Sequence, residues 1–229
     1  MSTLPVIEVF GPTLQGEGLL IGLRTLFIRL AGCDWSCSWC DTPYSWRPGS
    51  LAAVQRLDPP AILLRLRSLD PATHQVTLSG GNPALHDCTE LLHALHAEGY
   101  RVHVETQGSL APTWLGLADS VTVSPKGPSS GMPPAWNELA GALARSRAAD
   151  LKIVVFDEAD LAFASEAHRR HPERPLCLQV GNRVGVDSAE ALLQRARWLA
   201  ARVLEQADFA AVRVLPQWHV LLWGNARGV

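Results

Sequence analysis

The chain has 229 residues, 47% hydrophobic and 18% charged, with a formal net charge of -2, which is enough for one large domain with a well-buried core. A near-neutral balance without a basic run offers no electrostatic footprint for nucleic acid. No apolar stretch reaches the length of a membrane span, and Met1-Ser2-Thr3-Leu4-Pro5 lacks the charged and apolar regions of a signal peptide, so a cytoplasmic protein is expected.

The predicted elements begin with a strand over Val6 to Phe10 and then alternate between two periodicities. Strands are expected at Thr25 to Leu30, Gln75 to Ser79, Arg101 to Glu105, Ser120 to Val123, Leu151 to Phe156, Pro175 to Val180 and Ala211 to Leu215. Helices are expected between them at Ala61 to Ser68, Cys88 to Glu98, Ala135 to Arg147, Glu158 to His171 and Ser188 to Glu205. Asp157 stands in capping position for the fourth helix, and Gly99 is placed to end the second. Strand, helix and strand in succession imply a parallel sheet with right-handed crossovers. A complete eight-unit barrel needs about 250 residues, so the fold expected here is α/β, an incomplete, open-sided parallel (β/α) barrel. Residues 1–229 are read as a single domain, with the N-terminal strand and the C-terminal tail as additions to its core. The irregular stretch Ser124 to Pro134 is too short for a linker and reads as a loop with a task of its own or a simple excursion.

Three of the five cysteines fall within eight residues, Cys33-Asp34-Trp35-Ser36-Cys37-Ser38-Trp39-Cys40. A structural zinc site wants four ligands, and no fourth Cys or His is near in sequence. A four-iron cubane is usually held by four cysteines, so three leave one iron open to a small molecule. The C-x3-C-x2-C spacing, with an aromatic at Trp39, resembles the radical S-adenosylmethionine enzymes; a truncated zinc knuckle or a chance cluster is the alternative. Cys88 and Cys177 read instead as buried small apolar residues, and the odd cysteine count suits a reducing compartment.

In parallel barrels the chemistry sits at the carboxyl ends of the strands. Those ends carry the cysteine loop, then Ser79-Gly80-Gly81-Asn82-Pro83, Glu105-Thr106-Gln107-Gly108, Ser124-Pro125-Lys126 and Gln179-Val180-Gly181-Asn182. The two glycines allow a backbone to approach a ligand closely. Asn82 departs from the Gly-Gly-Glu-Pro form usual in the radical family and accepts hydrogen bonds without carrying charge. Each group has a plainer alternative: Glu105 and Lys126 as a solvated ion pair, Gln179 to Asn182 as a strand-to-helix turn, and Lys152 as a lysine that snorkels to the surface.

The segments Phe10-Gly11-Pro12-Thr13-Leu14-Gln15-Gly16-Glu17-Gly18, Phe27-Ile28-Arg29-Leu30-Ala31-Gly32-Cys33, Cys40-Asp41-Thr42, Ser124-Pro125-Lys126 and Arg213-Val214-Leu215-Pro216-Gln217-Trp218-His219 together resemble 7-carboxy-7-deazaguanine synthase, over essentially the whole chain. That family converts 6-carboxy-5,6,7,8-tetrahydropterin to 7-carboxy-7-deazaguanine and ammonia, on the route to queuosine and related deazapurines. The resemblance implies a 4Fe-4S cluster on Cys33, Cys37 and Cys40. It also implies S-adenosylmethionine contacts at Trp39, Cys40, Asp41, Gly81, Ser124, Lys126, Gln179, Val180, Gly181 and Asn182. Substrate contacts are implied at Leu14, Gln15, Gly16, Arg29 and Ser79. Arg29 suits the pterin carboxylate, through two parallel hydrogen bonds, or is a surface charge on a strand. Thr42 is implied as a Mg2+ ligand, with Asp41 an equal candidate and a turn residue the alternative.

The resemblance further implies hydrogen abstraction from C6 of the pterin by a 5'-deoxyadenosyl radical, ring contraction, return of the hydrogen to regenerate S-adenosylmethionine, and loss of ammonia. No protein side chain is then needed as a catalytic acid or base. The implied partners are the small-molecule pterin, an electron donor such as a flavodoxin and a second copy of the chain in a homodimer, with no nucleic acid and no membrane. Two rivals are an activase that places a glycyl radical on a partner protein, and a non-catalytic iron-sulfur or zinc protein. The first leaves Gln15 to Gly18 and Cys40 to Thr42 unexplained, the second the polar strand ends.

Overall fold

A computed structural model describes residues 2–49, 54–146 and 148–229. Its strands are β1 (Leu4–Leu14), β2 (Arg24–Leu30), β3 (Gln55–Leu57), β4 (Gln75–Gly80), β5 (Arg101–Thr106), β6 (Ser120–Val123), β7 (Ala149–Val155), β8 (Leu176–Val180) and β9 (Arg213–Leu215). Among the described residues they form one sheet, ordered β3-β1-β2-β4-β5-β6-β7-β8-β9. From β2 to β9 every neighbouring pair is parallel, while β1 runs antiparallel to both β2 and β3. The seven-strand parallel run is the expected open-sided barrel, and β3 and β9 are the edges of the whole sheet. The expected N-terminal strand is longer than the periodicity suggested, and its partner β3, three residues beginning with Gln and Arg, carries no apolar pattern to read.

The helices are α1 (Pro59–Leu69), α2 (Thr89–Ala97), α3 (Trp136–Arg145), α4 (Glu158–Arg170), α5 (Ala189–Leu204) and α6 (Trp218–Trp223). Asp157 caps α4 by accepting from the N–H groups of Ala159 and Asp160 at 3.0 and 3.1 Å, as expected. Asp58 and Ser188 do the same for α1 and α5. Gly99 follows α2 with φ +78°, a left-handed turn that a side chain would strain. The expected end of α3 at Arg147 lies outside the described residues. Helix α6 escaped the periodicity because Gln217 offers no side-chain cap and six residues are less than two turns.

The core lies between the parallel strands and α1 to α5, with Leu26, Ile28, Leu78, Val104, Leu151, Leu178, Leu92 and Leu199 inaccessible or nearly so. Every residue of β7 and β8 is buried, as expected for strands covered on both faces. Cys177 is buried in β8, and Cys88 is buried at the residue preceding α2. Burial holds both thiols up at about 12, so neither is poised as a thiolate. No helix among the described residues is long and apolar enough to cross a membrane.

Candidate active site

The carboxyl ends of the strands enclose a cavity of about 240 Å3. Arg29 enters from β2, the cysteine loop follows β2, and Ser79 and Gly81 come from the end of β4. Glu105, Ser124 with Lys126, Lys152 and Asn182 come from β5, β6, β7 and β8 in turn, and the tail closes the circle with Gln217, His219 and Arg227. Parallel pairing explains the convergence, since each crossover returns the chain to the same end of the sheet.

Cys33, Cys37 and Cys40 all line this cavity and are partly exposed. Cys33 Sγ receives the backbone N–H of Trp35 at 3.4 Å and Gln107 Nε2 at 3.5 Å, and Cys40 Sγ receives the indole Nε1–H of Trp46 at 3.3 Å. Burial raises the Cys33 thiol, and it raises Cys37 to about 11 although the charge of Lys126 pulls the other way. Among the described residues no three Cys, His, Asp or Glu side chains close on a single ion-sized point. Three thiols around one cavity, two of them receiving N–H donors and the third beside the Lys126 charge, fit a cubane with one sulfur on each of three irons.

The loop after β6 holds the cysteine loop in place. Ser38 N–H and Oγ–H donate to the carbonyls of Ser130 and Ser129 at 3.0 and 2.8 Å, and Trp39 Nε1–H donates to Ser129 Oγ at 2.9 Å. Fully buried Asp160, in the first turn of α4, accepts the N–H groups of Ser129 and Phe156 at 3.0 and 2.9 Å and so anchors that loop. The irregular stretch therefore has a task. Two glycines at the end of β4 also permit close approach: a Cβ on Gly80 would overlap the backbone of its β2 neighbour Leu30, and one on Gly81 the carbonyl of Gly32 and the Cβ of Cys33 at the start of the cysteine loop. The close approach expected there is to the cysteine loop's own backbone.

Facing the cysteines is a set of charges. Lys152 is only 5% exposed, so it does not snorkel to the surface, the plainer of its two readings. Its ammonium pairs with Glu17 and lies 3.6 Å from Glu105. Burial alone would raise the Glu17 carboxyl, but Lys152, His219 and a 2.6 Å hydrogen bond from Gln217 Nε2 outweigh it and hold it at about 2. Burial alone would lower the Lys152 ammonium; Glu17 and Glu105 outweigh it and raise its pKa. Glu105 also accepts from Gln15 Nε2 at 3.3 Å and Ser79 Oγ at 3.0 Å. Its partner is thus Lys152, while the Lys126 ammonium donates to Ser124 Oγ at 2.8 Å and lies over the Trp39 ring, 5.8 Å from its centroid.

Arg29 donates Nε–H to Glu8 Oε1 at 2.7 Å, and its guanidinium stands 5.6 Å from the centroid of Phe10. Arg29, its side chain 14% exposed, packs against these partners rather than standing out as a surface charge, and its two Nη nitrogens have no protein partner among the described residues. Tyr44 Oη–H donates to the same Glu8 oxygen at 3.3 Å, and Arg227 reaches the other at 3.5 Å.

Of the residues singled out in the sequence, Leu14, Gln15, Gly16, Arg29, Trp39, Asp41, Thr42, Ser79, Gly81, Ser124, Lys126 and Asn182 line the cavity together with the three cysteines. Gln179, Val180 and Gly181 do not. Gln179 Nε2 donates to the Pro216 carbonyl at 3.1 Å, Val180 packs in the small groove beside α5, and a Cβ on Gly181 would meet the Phe156 ring at 2.5 Å. Thr42 Oγ1 is 3.8 Å from Cys40 Sγ. Glu17, Tyr44, Trp46, Gln217 and His219 also line the cavity and were not singled out in the sequence, although Glu17, Gln217 and His219 lie inside the quoted segments; Gln107 and Lys152, both weighed with the strand ends, line it too.

A family model described as the radical SAM superfamily matches residues 27–132. The 7-carboxy-7-deazaguanine synthase of Bacillus cereus is 42% identical over all of both chains, and that of Bacillus subtilis 41% identical over 99% of this chain and 98% of its own. The crystal structure of QueE from Escherichia coli superposes with a TM-score of 0.72 at 26% identity, covering 95% of each chain. That of Streptococcus suis SuiB bound to S-adenosylmethionine, at 14% identity and a TM-score of 0.55 over 80% of this chain and 48% of its own, shares the fold. Three thiols and a ring of polar strand ends around one cavity, in a chain this similar to the Bacillus enzymes over its full length, lead to one conclusion: the chain belongs to the 7-carboxy-7-deazaguanine synthase family of radical S-adenosylmethionine enzymes.

Proposed function

We propose that this chain converts 6-carboxy-5,6,7,8-tetrahydropterin to 7-carboxy-7-deazaguanine and ammonia. The observation that carries the reading is that three thiols and an arginine with two free Nη nitrogens share a single cavity with Gln15, Ser79 and Glu105. When bound, the 4Fe-4S cluster and S-adenosylmethionine supply the 5'-deoxyadenosyl radical that abstracts hydrogen, and Mg2+ supplies an electrostatic clamp on substrate oxygens.

The chain's own residues bind and orient. Cys33, Cys37 and Cys40 would each hold one iron of the cluster. Glu8 fixes Arg29 through Nε, which leaves the other face of the guanidinium fork for the pterin carboxylate. Glu105, braced by Ser79 and Lys152, accepts from the amino and ring N–H groups of the pterin edge. Gln15 and the backbone of Leu14 and Gly16 complete that edge. Lys126, Ser124, Asn182, Trp39, Asp41 and Gly81 face S-adenosylmethionine; Gln179, Val180 and Gly181 support Asn182 from beneath. The Lys152–Glu17 pair keeps both groups charged in a dry site, so neither is offered as an acid or base. The chain acts as a single domain in the cytoplasm, draws its electron from a flavodoxin-like donor and pairs as a homodimer through the exposed apolar surface of α5 and α6, where Leu193, Trp218, Leu222 and Trp223 are all more than a third exposed.

Anaerobic reconstitution should give four irons per chain and turnover of the carboxylated pterin, and Cys33→Ala, Cys37→Ala or Cys40→Ala should abolish cleavage of S-adenosylmethionine. Full activity in any of the three sinks the assignment. Thr42→Val should keep the cluster and lose magnesium stimulation, while Thr42→Ser keeps both. A Thr42→Val enzyme that responds to magnesium as wild type does removes Thr42 from the metal site.

A further inference from the structure

Two side chains donate N–H groups to thiols of the cysteine loop, and one is held in donating orientation by a network the proposed chemistry does not use. Trp46 Nε1–H meets Cys40 Sγ at 3.3 Å. An indole nitrogen is a donor only, so that contact has one polarity.

Gln107 needs an argument, because its amide oxygen and nitrogen are nearly the same shape. Its Nε2 lies 2.8 Å from Asp34 Oδ1 and 3.5 Å from Cys33 Sγ. A carboxylate only accepts, so Asp34 selects the rotamer that turns the nitrogen inward and leaves the second N–H for the sulfur. Asp34 is fixed by Asn82, whose Nδ2 donates to the same oxygen at 2.8 Å. Asn82 is fully buried and has no freedom to turn. Its other N–H meets Ser109 Oγ at 3.1 Å, and its oxygen receives Thr106 Oγ1–H at 2.8 Å and Ala84 N–H at 3.2 Å. A glutamate at position 82 would set a second carboxylate against Asp34 and remove both donors. The Asn that departs from the commoner motif is therefore the residue that permits this network.

We propose that Trp46 and Gln107 set the reduction potential of the four-iron cluster by each donating one N–H to a ligating sulfur, with Asn82 and Asp34 acting as positioning residues for Gln107. The inference rests on the cluster assignment. One electron taken from an external low-potential reductant spreads negative charge onto the thiolate sulfurs. An N–H dipole aimed at a sulfur therefore stabilises the reduced cluster more than the oxidised one and raises the potential.

The test is an EPR-monitored redox titration of anaerobically reconstituted wild type, Trp46→Phe, Gln107→Leu, Asn82→Ala and the Gln107→Leu/Asn82→Ala pair, with iron counted first. At a fixed poise each lost donor should lower the ratio of reduced to oxidised cluster about tenfold, a fall in midpoint of about 59 mV for one electron. Asn82→Ala touches no sulfur and should shift it the same way by less, and the double variant should shift no further than Gln107→Leu alone. Four irons with an unmoved midpoint would overturn the tuning role, and additive shifts would overturn the positioning role of Asn82. Proton ENDOR of wild type after exchange into D2O needs no variant to fold: coupled exchangeable protons are expected at the reduced cluster, and their absence would overturn the proposal. A chain that takes up no cluster would overturn both this inference and the reading beneath it.

Discussion

Arg29 shows how one side chain can be held on one edge and left open on the other. Glu8 takes Nε, Phe10 lies beside the guanidinium, and the two Nη nitrogens, unpartnered among the described residues, form the edge proposed for the pterin carboxylate. Arg29→Lys keeps the charge but not the planar fork. The expected outcome is an affinity for the carboxylated pterin weaker by about 1.5 to 3 kcal/mol, with cluster content unchanged; equal affinity in a binding titration would move Arg29 out of the site. Asp150 makes the opposite kind of prediction. Its Oδ1 accepts from Thr122 Oγ1 at 3.1 Å, its Oδ2 is buried without a partner, and burial raises the carboxyl from 3.8 to about 6. The folded state binds this proton more tightly than the unfolded state. Its contribution is therefore complete below about pH 3.8 and is lost as pH rises through about 6. Asp150→Asn, uncharged and of the same shape, should match wild type in urea unfolding near pH 4 and exceed it at pH 8 by on the order of 2 to 3 kcal/mol.

At the scale of elements, what was legible in the sequence was whatever repeats. The parallel strands and α1 to α5 announced themselves by apolar runs and caps such as Asp157, and the cysteine spacing was local enough to read directly. Lys152 stayed undecided in the sequence because a lysine in an apolar strand looks identical whether it snorkels or meets a buried partner. Its partner Glu17 is 135 positions away. Gln179 to Gly181 sit at a strand end, but the side-chain alternation along β8 and the docking of Phe156 and Pro216 turn them off the cavity, which periodicity alone does not place. Gly81 tests the meeting of β4 with the cysteine loop. Gly81→Ala would press a methyl into the Gly32 carbonyl, so the loop must shift. Reconstituted Gly81→Ala should retain its secondary structure by circular dichroism yet hold less than half the iron of wild type, on the general rule that overpacking forces backbone movement. Full iron content would show that the two turns are not rigidly coupled.

For the whole molecule, the open edge at β9 and the apolar surface of α5 and α6 stand together, next to the groove lined by Leu193, Ala196 and Leu221. Apolar patches of this kind mark association sites. Sedimentation equilibrium should return twice the chain mass, and Leu222→Glu/Trp223→Glu should return the chain mass with the fold intact. A wild type that stays at the chain mass at high concentration removes the homodimer.

The first and last segments of the described chain meet at the cavity. Trp218 N–H donates to the Gly16 carbonyl at 2.8 Å, Gln217 donates to Glu17 across 200 positions, and Arg227 reaches Glu8. Because the cost of closing a loop grows only slowly with its length, a few such contacts can hold the tail in place across the whole chain. The tail holds the partners of two cavity cations rather than the cations themselves, Glu17 for Lys152 and Glu8 for Arg29. Loss of the tail would thus be felt at Arg29 and Lys152 through the carboxylates they share with it, at a distance from any side chain the tail itself contributes.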